Sequence, residues 1–186
     1  MQVISLTNSF FASASHVIQL ADAIYIVDPG DSKPLIDAVE RIGLRVAGIL
    51  LTHAHFDHIY GLNELIERFP DAPIYTNEAG AEMLVSAKLN LSKYHEQPFE
   101  LNYPQNIVKV ADGDTIGNIQ VVATPGHNPS CLTYIIDDAI FTGDAYIPGI
   151  AVVTNLPKGN KALAQQSMQH ILSLSDGKKI YPGHIV

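Results

Sequence analysis

Four side chains able to ligate a metal lie within the six positions His53 to His58, in Thr52-His53-Ala54-His55-Phe56-Asp57-His58. A single histidine at a strand end reads as a polar edge residue. Three histidines and an aspartate beside a run of apolar residues are different, because burying them unpaired would be costly. Imidazole and carboxylate donors together suit zinc, iron or manganese. Three more candidates each follow a β-rich run and a glycine: His127 in Thr124-Pro125-Gly126-His127, Asp144 in Phe141-Thr142-Gly143-Asp144, and His184 in Tyr181-Pro182-Gly183-His184. Glycine at such points permits unusual backbone angles and close approach. Five histidines and two aspartates are enough for two metals. Of the other histidines, His16 reads as a strand residue, His170 as a helix-surface residue, and His95 is left without a role.

The elements that must position these residues follow from periodicity. Ile49, Leu50 and Leu51 read as a buried strand, and Ile59, Leu62, Leu65, Ile66 and Phe69 recur at helical spacing. The first cluster therefore sits between a strand end and a helix running to Phe69. His53 and His55, two apart in extended chain, project to one side. Strands are expected at Val3–Leu6, within Phe10–Leu20, where a loop or turn enters a second strand, at Ala23–Val27 and at Val46–Thr52. The turn Asp28-Pro29-Gly30 ends the third of these in chain order. A helix is expected over Pro34–Ile42, with Ser32 as N-cap and Gly43 as C-cap. A short strand follows at Ile74–Thr76, then a helix from Glu78 to about Leu89 capped by Asn77. The irregular, aromatic segment from Leu89 to Pro104 reads as a lid. Strands follow at Ile107–Val110, Ile119–Ala123, Cys131–Ile136 and Ala139–Thr142. A helix over Gly159–Leu174 and a last strand at Lys179–Tyr181 complete the chain.

Composition narrows the partners. The 186 residues suit one domain spanning 1–186, and 47% hydrophobic with 16% charged residues is ordinary for a soluble globular protein. The formal charge of -8 and the lack of a Lys/Arg run disfavour nucleic acid as a partner. No signal peptide and no membrane-spanning stretch is read from the sequence. A single cysteine, Cys131, excludes an internal disulfide, and a cytoplasmic location is the simplest reading. A small-molecule substrate is expected, and a homo-oligomer is left open.

Taken in order, Thr-His-Ala-His-Phe-Asp-His, Gly126-His127, Gly143-Asp144 and Gly183-His184 resemble the motifs of the metallo-β-lactamase superfamily, and most of all its glyoxalase II-like hydrolases. The resemblance implies an αββα sandwich, of class α/β (α+β), with the metals at one edge of two facing sheets. It implies that His53, His55 and His127 hold one metal, that Asp57, His58 and His184 hold another, and that Asp144 bridges them. Where the family often has Gly-His-Thr-Pro-Gly-Ser, this chain has Gly126-His127-Asn128-Pro129-Ser130-Cys131. Cys131 is therefore not the metal-binding cysteine of true β-lactamases. Asp144 at the bridging position argues against lactam antibiotics. The end of the chain two residues after His184 lends no support to glutathione thioesters.

The expected activity is hydrolysis of an ester, thioester, lactone or amide by a hydroxide shared between two divalent metals ~3.5–4 Å apart. Zinc is the first expectation, since it lowers the pKa of bound water to about 7, and iron or manganese are the alternatives. Asp57 would orient the hydroxide and Asp144 would fix the metal separation, so both count as catalytic. Substrate walls are expected from Phe10 and Phe11, Tyr60, the Tyr94–Tyr103 segment, Tyr146 and the Ile147–Lys158 loop. Tyr60 and Tyr146 are candidate substrate contacts, and Lys158 would meet an anionic group. The rival reading keeps the fold but uses iron for oxygen chemistry, as a sulfur dioxygenase or a diiron oxygen reductase.

Overall fold

The structure, a computed structural model, describes residues 1–185. Two sheets face one another. The first runs β1 (Gln2–Thr7), β2 (Ala14–Gln19), β3 (Ala23–Val27), β4 (Arg45–Leu50), β5 (Ile74–Thr76) and β6 (Ile107–Lys109) in spatial order. Its first three strands are antiparallel, and β3 to β6 are parallel. The second sheet has β7 (Thr115–Ile116), β8 (Ile119–Ala123), β9 (Leu132–Ile136), β10 (Ala139–Gly143) and β11 (Lys179–Pro182), in the spatial order β11-β10-β9-β8-β7.

Side-chain alternation along each strand builds the layers. In β4, Leu50 faces Val121, Leu132, Tyr134 and Phe141 of the second sheet, whereas Ile49 and, just beyond the strand, Leu51 face outward. That outer face is covered by α1 (Ser32–Ile42), α3 (Leu62–Arg68) and α4 (Glu78–Leu84) through Leu35, Val39, Leu62, Leu65, Met83 and Leu84. On the far side, Ile135 and Ile140 pack against Ile171 of α5 (Lys161–Leu174). The result is the expected αββα sandwich. His16 staples the sheets together. It lies in β2, yet its Nε2 donates to the Pro182 carbonyl of β11 at 3.1 Å, and its Nδ1 lies 2.9 Å from Ser5 Oγ.

Several element boundaries differ from expectation for identifiable reasons. The helix expected to run unbroken to Phe69 is split into α2 (Phe56–Ile59) and α3. Between them the Gly61 amide bonds the Pro29 carbonyl at 2.9 Å, and a Cβ on Gly61 would lie 2.5 Å from Ser32 N. The N-cap of α1 is Asp31 rather than Ser32, and the Asp31 carboxylate is taken by Ser9 instead of the helix. Helix α4 stops at Leu84, short of Leu89, while Asn77 caps its start by accepting from the Gly80 amide. Helix α5 begins at Lys161 behind an Asn160 cap, and the two-residue strand β7 was not expected.

The lid reading of the 89–104 segment is corrected by its anchoring. Phe99 and Leu101 belong to the core beneath α3 and α4, and Asn90 and Ser92 are fully buried. Asn90 Nδ2 donates to the carbonyls of both Met83 and Phe99. Lys93, Tyr94 and residues 96–98 are exposed, and Glu100, Asn102 and Pro104 alternate with the anchored residues. A connection without periodicity can still be held by side chains bonded to its own backbone.

Candidate metal centre

The clustered residues all lie at strand ends on one edge of the sandwich. After β4 the chain runs through Thr52 to His53 and His55, and α2 then presents Asp57 and His58. The β8–β9 connection carries His127, β10 ends at Asp144's neighbour Gly143, and His184 follows β11. Glycine is required where these ends crowd together. A Cβ on Gly183 would lie 2.2 Å from Asp144 Oδ1 and 3.0 Å from His58 Cε1. Gly126 has φ 140° and would place a Cβ 2.2 Å from Ala164 N.

Of three groups whose ligand-type atoms all lie within 4.8 Å of one another, one, Asp28, His53 and His58, links the other two: His53, His55 and His127, and Asp57, His58 and His184. Asp144 spans them. Its Oδ2 lies 3.6 Å from His127 Nε2 and 3.4 Å from His184 Nε2, and its Oδ1 lies 3.6 Å from His58 Nε2. Asp57 Oδ2 stands 3.4 Å from His58 Nε2 and 3.7 Å from His184 Nε2.

Hydrogen bonds behind the rings aim them. His127 Nδ1 donates to the Val153 carbonyl at 2.8 Å, and His184 Nδ1 donates to the Phe11 carbonyl at 3.0 Å. His58 Nδ1 donates to Asp28 at 3.2 Å. His53 Nδ1 lies 3.2 Å from Thr52 Oγ1, whose own proton goes to Asp28. All four rings therefore turn Nε2 toward the shared centre. His55 is the reverse: its Nε2 lies 3.3 Å from Asn128 Nδ2, and its Nδ1 faces His127 Nε2 at 2.9 Å.

The donor set fits metal ions by a direct criterion. Among the described residues, the buried side-chain atoms without a hydrogen-bond partner include His53 Nε2, His58 Nε2 and Asp144 Oδ1. Such orphans are costly unless something coordinates them. Protonation points the same way. Burial pushes His53 well down, pushes His55 down to about 3, and lowers His127, so these three are neutral donors near neutral pH. Burial opposes charge on His58, but Asp57, Asp144 and Asp28 overcome it and push the imidazole up to about 10. Burial likewise opposes charge on Asp144, yet His58 and His184 hold its carboxyl far below the usual range. Carboxylates thus concentrate around the second group, where a dication would replace the proton on His58.

The remaining expected residues are dispersed. The Tyr60 hydroxyl donates to the Gln97 carbonyl at 2.6 Å, so it braces the 89–104 segment. Tyr146 packs against the cluster of Cys131, Ile135, Ile140 and Ala145 beneath α5. Lys158 is exposed, at φ 66°. His95 packs on Phe56 with ring centroids 4.1 Å apart. His170 lies on the exposed face of α5. Cys131 is buried, and burial raises its thiol pKa; it belongs to none of the ligand groups.

Two supporting residues escaped the sequence reading. Asp28 was read only as part of a turn, yet it is buried, has φ 49°, and accepts from the Thr52 amide, the Thr52 hydroxyl and His58. Its available signal was its place at a strand end beside Pro-Gly, the setting shared by His127 and His184. Asn128 was noted only as a departure from the family pattern. Its Oδ1 accepts from Ser130 N at 2.7 Å, which fixes its amide toward His55.

The chain is similar to known proteins to different extents. A hydroxyacylglutathione hydrolase of Shewanella halifaxensis is 29% identical over 172 residues, covering 89% of this chain. This chain spans only 58% of that relative's length. The crystal structure of the B3 metallo-beta-lactamase BLEG-1 superposes with a TM-score of 0.90 at 27% identity, covering 100% of this chain and 92% of that one. A protein solved in a di-iron-bound form, TTHA1623, gives a TM-score of 0.87 at 25% identity, with 98% and 92% coverage. The sequence profile of the metallo-beta-lactamase superfamily matches residues 9–184, from the loop before β2 to the last histidine of the site, and the chain belongs to that superfamily.

Proposed function

We propose that the chain is a metal-dependent hydrolase of a small ester, thioester, lactone or amide, with two divalent metal ions held by His53, His55, His127, Asp57, His58, His184 and Asp144. The observation that carries this reading is the position of Asp144. Its two oxygens face histidines of both groups, and one of them is buried without a hydrogen-bond partner. When bound there, such ions supply a Lewis acid for the carbonyl and a water whose pKa is lowered to about 7.

The chain's own residues do the rest. His53, His55 and His127 offer neutral nitrogens on a rigid strand end and loop. Asp144 keeps its negative charge despite burial and so sets the separation of the two groups. Asp57, at the start of α2, turns its carboxylate to the same side as His58 and His184, where it can accept a proton from an attacking water. Zinc is our first choice of metal, a small-molecule substrate our choice of partner, and cytoplasm our choice of compartment. The likeness to the di-iron-bound structure supports iron as the second reading, with oxygen rather than hydrolytic chemistry. Among the described residues, no helix is long and apolar enough to cross a membrane.

Metal content by mass spectrometry, followed by ester, thioester, lactone and amide screens, tests the proposal. About two transition-metal ions per chain and turnover on at least one class are expected. Asp144→Asn should lower turnover by more than the roughly 10- to 100-fold that follows loss of a group merely supporting a ligand. One ion per chain with full turnover would overturn the two-metal reading.

A further inference from the structure

A cleft opens directly beside the second group. Asp144 and His184 form its floor, and Phe11, Ile147, Ile150, Val152 and Val153 form its walls. Its volume is about 310 Å³, at the small end of the roughly 300–1,000 Å³ usual for ligand pockets. No lysine, arginine or neutral amide side chain lines it. Phe11 is 68% exposed, Val153 46% and Ile150 43%. Large apolar side chains left in solvent around a candidate reactive centre mark a binding surface.

Both walls are built into the centre. The Phe11 carbonyl holds His184 Nδ1, and the Val153 carbonyl holds His127 Nδ1. Phe11 and Ala12 have φ 51° and 53°, a left-handed conformation that bulky residues rarely adopt and that costs free energy. That backbone aims the Phe11 carbonyl at His184 while its ring stands over the cleft, edge-on to Phe56 at 5.9 Å. The opposite wall is a turn closed by the Ile150 amide on the Ile147 carbonyl at 3.1 Å.

We propose that this cleft is the acyl subsite, and that the chain acts on esters or thioesters whose acyl part is apolar and uncharged. The proposal rests on the hydrolase reading and deepens it. A buried methylene gains about 0.8 kcal/mol on leaving water, so affinity should rise with acyl length until the cleft is full. An anionic group at the far end of the acyl chain would be desolvated among Ile147, Ile150, Val152 and Val153, where no lysine or arginine lines the cleft to pair it.

The test uses straight-chain hydroxamates, which chelate metals through one head group while the tail varies. Calorimetry on the metal-loaded protein should show about fourfold tighter binding per methylene from acetohydroxamate to hexanohydroxamate. Succinic monohydroxamate, with a terminal carboxylate, should bind no better than acetohydroxamate. Ile150→Asp should shrink the hexano-to-aceto affinity ratio at least fivefold without changing metal content. Phe11→Asn should do likewise, since asparagine tolerates the left-handed backbone. Equal affinity across chain lengths, or an unchanged ratio in both variants, would overturn the acyl subsite and leave the hydrolase reading standing. A chain-length gain lost in the variants, with no turnover of any ester, thioester, lactone or amide, would support an apolar subsite and overturn the hydrolase reading.

Discussion

His58 Nδ1 lies 3.2 Å from Asp28 Oδ2, and both side chains are buried, at 0% and 1% exposure. The same carboxylate takes the Thr52 amide at 2.7 Å and the Thr52 hydroxyl, and Thr52 Oγ1 meets His53 Nδ1. One residue at the end of β3 therefore orients one histidine from each ligand group. Neither histidine could turn without breaking a buried bond to that network.

Asp28→Asn tests this relation. The change keeps the shape but removes the charge, and it can turn an amide donor toward His58 or Thr52. Metal affinity should fall roughly 10- to 100-fold, and in both groups, because both histidines lose their acceptor geometry. Competition against a chromogenic chelator, titrated for each ion, would show this. Weakening of one ion alone would mean that Thr52 does not relay Asp28 to His53.

Cys131→Ser should leave metal stoichiometry untouched. The thiol is buried with Ile135, Ile140 and Ile171, away from the ligand groups. A hydroxyl there lacks apolar compensation and should cost about 1–3 kcal/mol. Urea unfolding should show that loss, while mass spectrometry finds an unchanged metal content. Loss of metal would place the cysteine in the site.

The seven ligand candidates were legible because strand ends and glycines are local signals, and the sandwich was legible only through the motifs' resemblance to the superfamily. The apolar run Ile49–Leu51 and the helical repeat from Ile59 to Phe69 placed the first cluster between a strand end and a helix, and the resemblance to the superfamily placed the ligands at one edge of two sheets. Asp28 was not legible, because its role depends on β3 lying parallel to β4, a pairing that no short window contains. The anchoring of residues 89–104 was hidden for a related reason. Its apolar contacts, Phe99 and Leu101, are few, and its polar ones are asparagine and serine bonds to backbone with no periodic signature. The cleft walls were half visible: Phe11 and the 147–158 loop were named, but Tyr60 and Tyr146 went with them because aromatic residues near a motif look alike until packing separates them.

Phe99→Ala separates an anchored connection from a lid. Phe99 is 5% exposed and packs in the core beneath α3 and α4. Its truncation should cost about 3–5 kcal/mol, read as a shift in urea midpoint. Tyr94→Ala, at a side chain 90% exposed, should change stability by less than about 0.5 kcal/mol. Similar small effects from both would restore the lid.

His184→Ala tests the second ligand group at its most exposed member. The backbone around His184 is held independently of the imidazole. The Ala14 amide bonds the Gly183 carbonyl at 2.7 Å, the Gly183 amide bonds the Gly143 carbonyl at 3.0 Å, and Ser13 pairs with His184 as an isolated antiparallel bridge. Removing the ring should therefore leave β11 in place. It also leaves His53, His55 and His127 with their own supports, Thr52, Asn128 and Val153. The variant should fold, keep one ion firmly, bind the other weakly, and lose most hydrolytic activity. Circular dichroism, metal analysis after dialysis and turnover would be read on the same preparation. Two firmly held ions with normal turnover would remove His184 from the ligands. The second group would then retain only Asp57 and His58, with Asp144 shared from beside it.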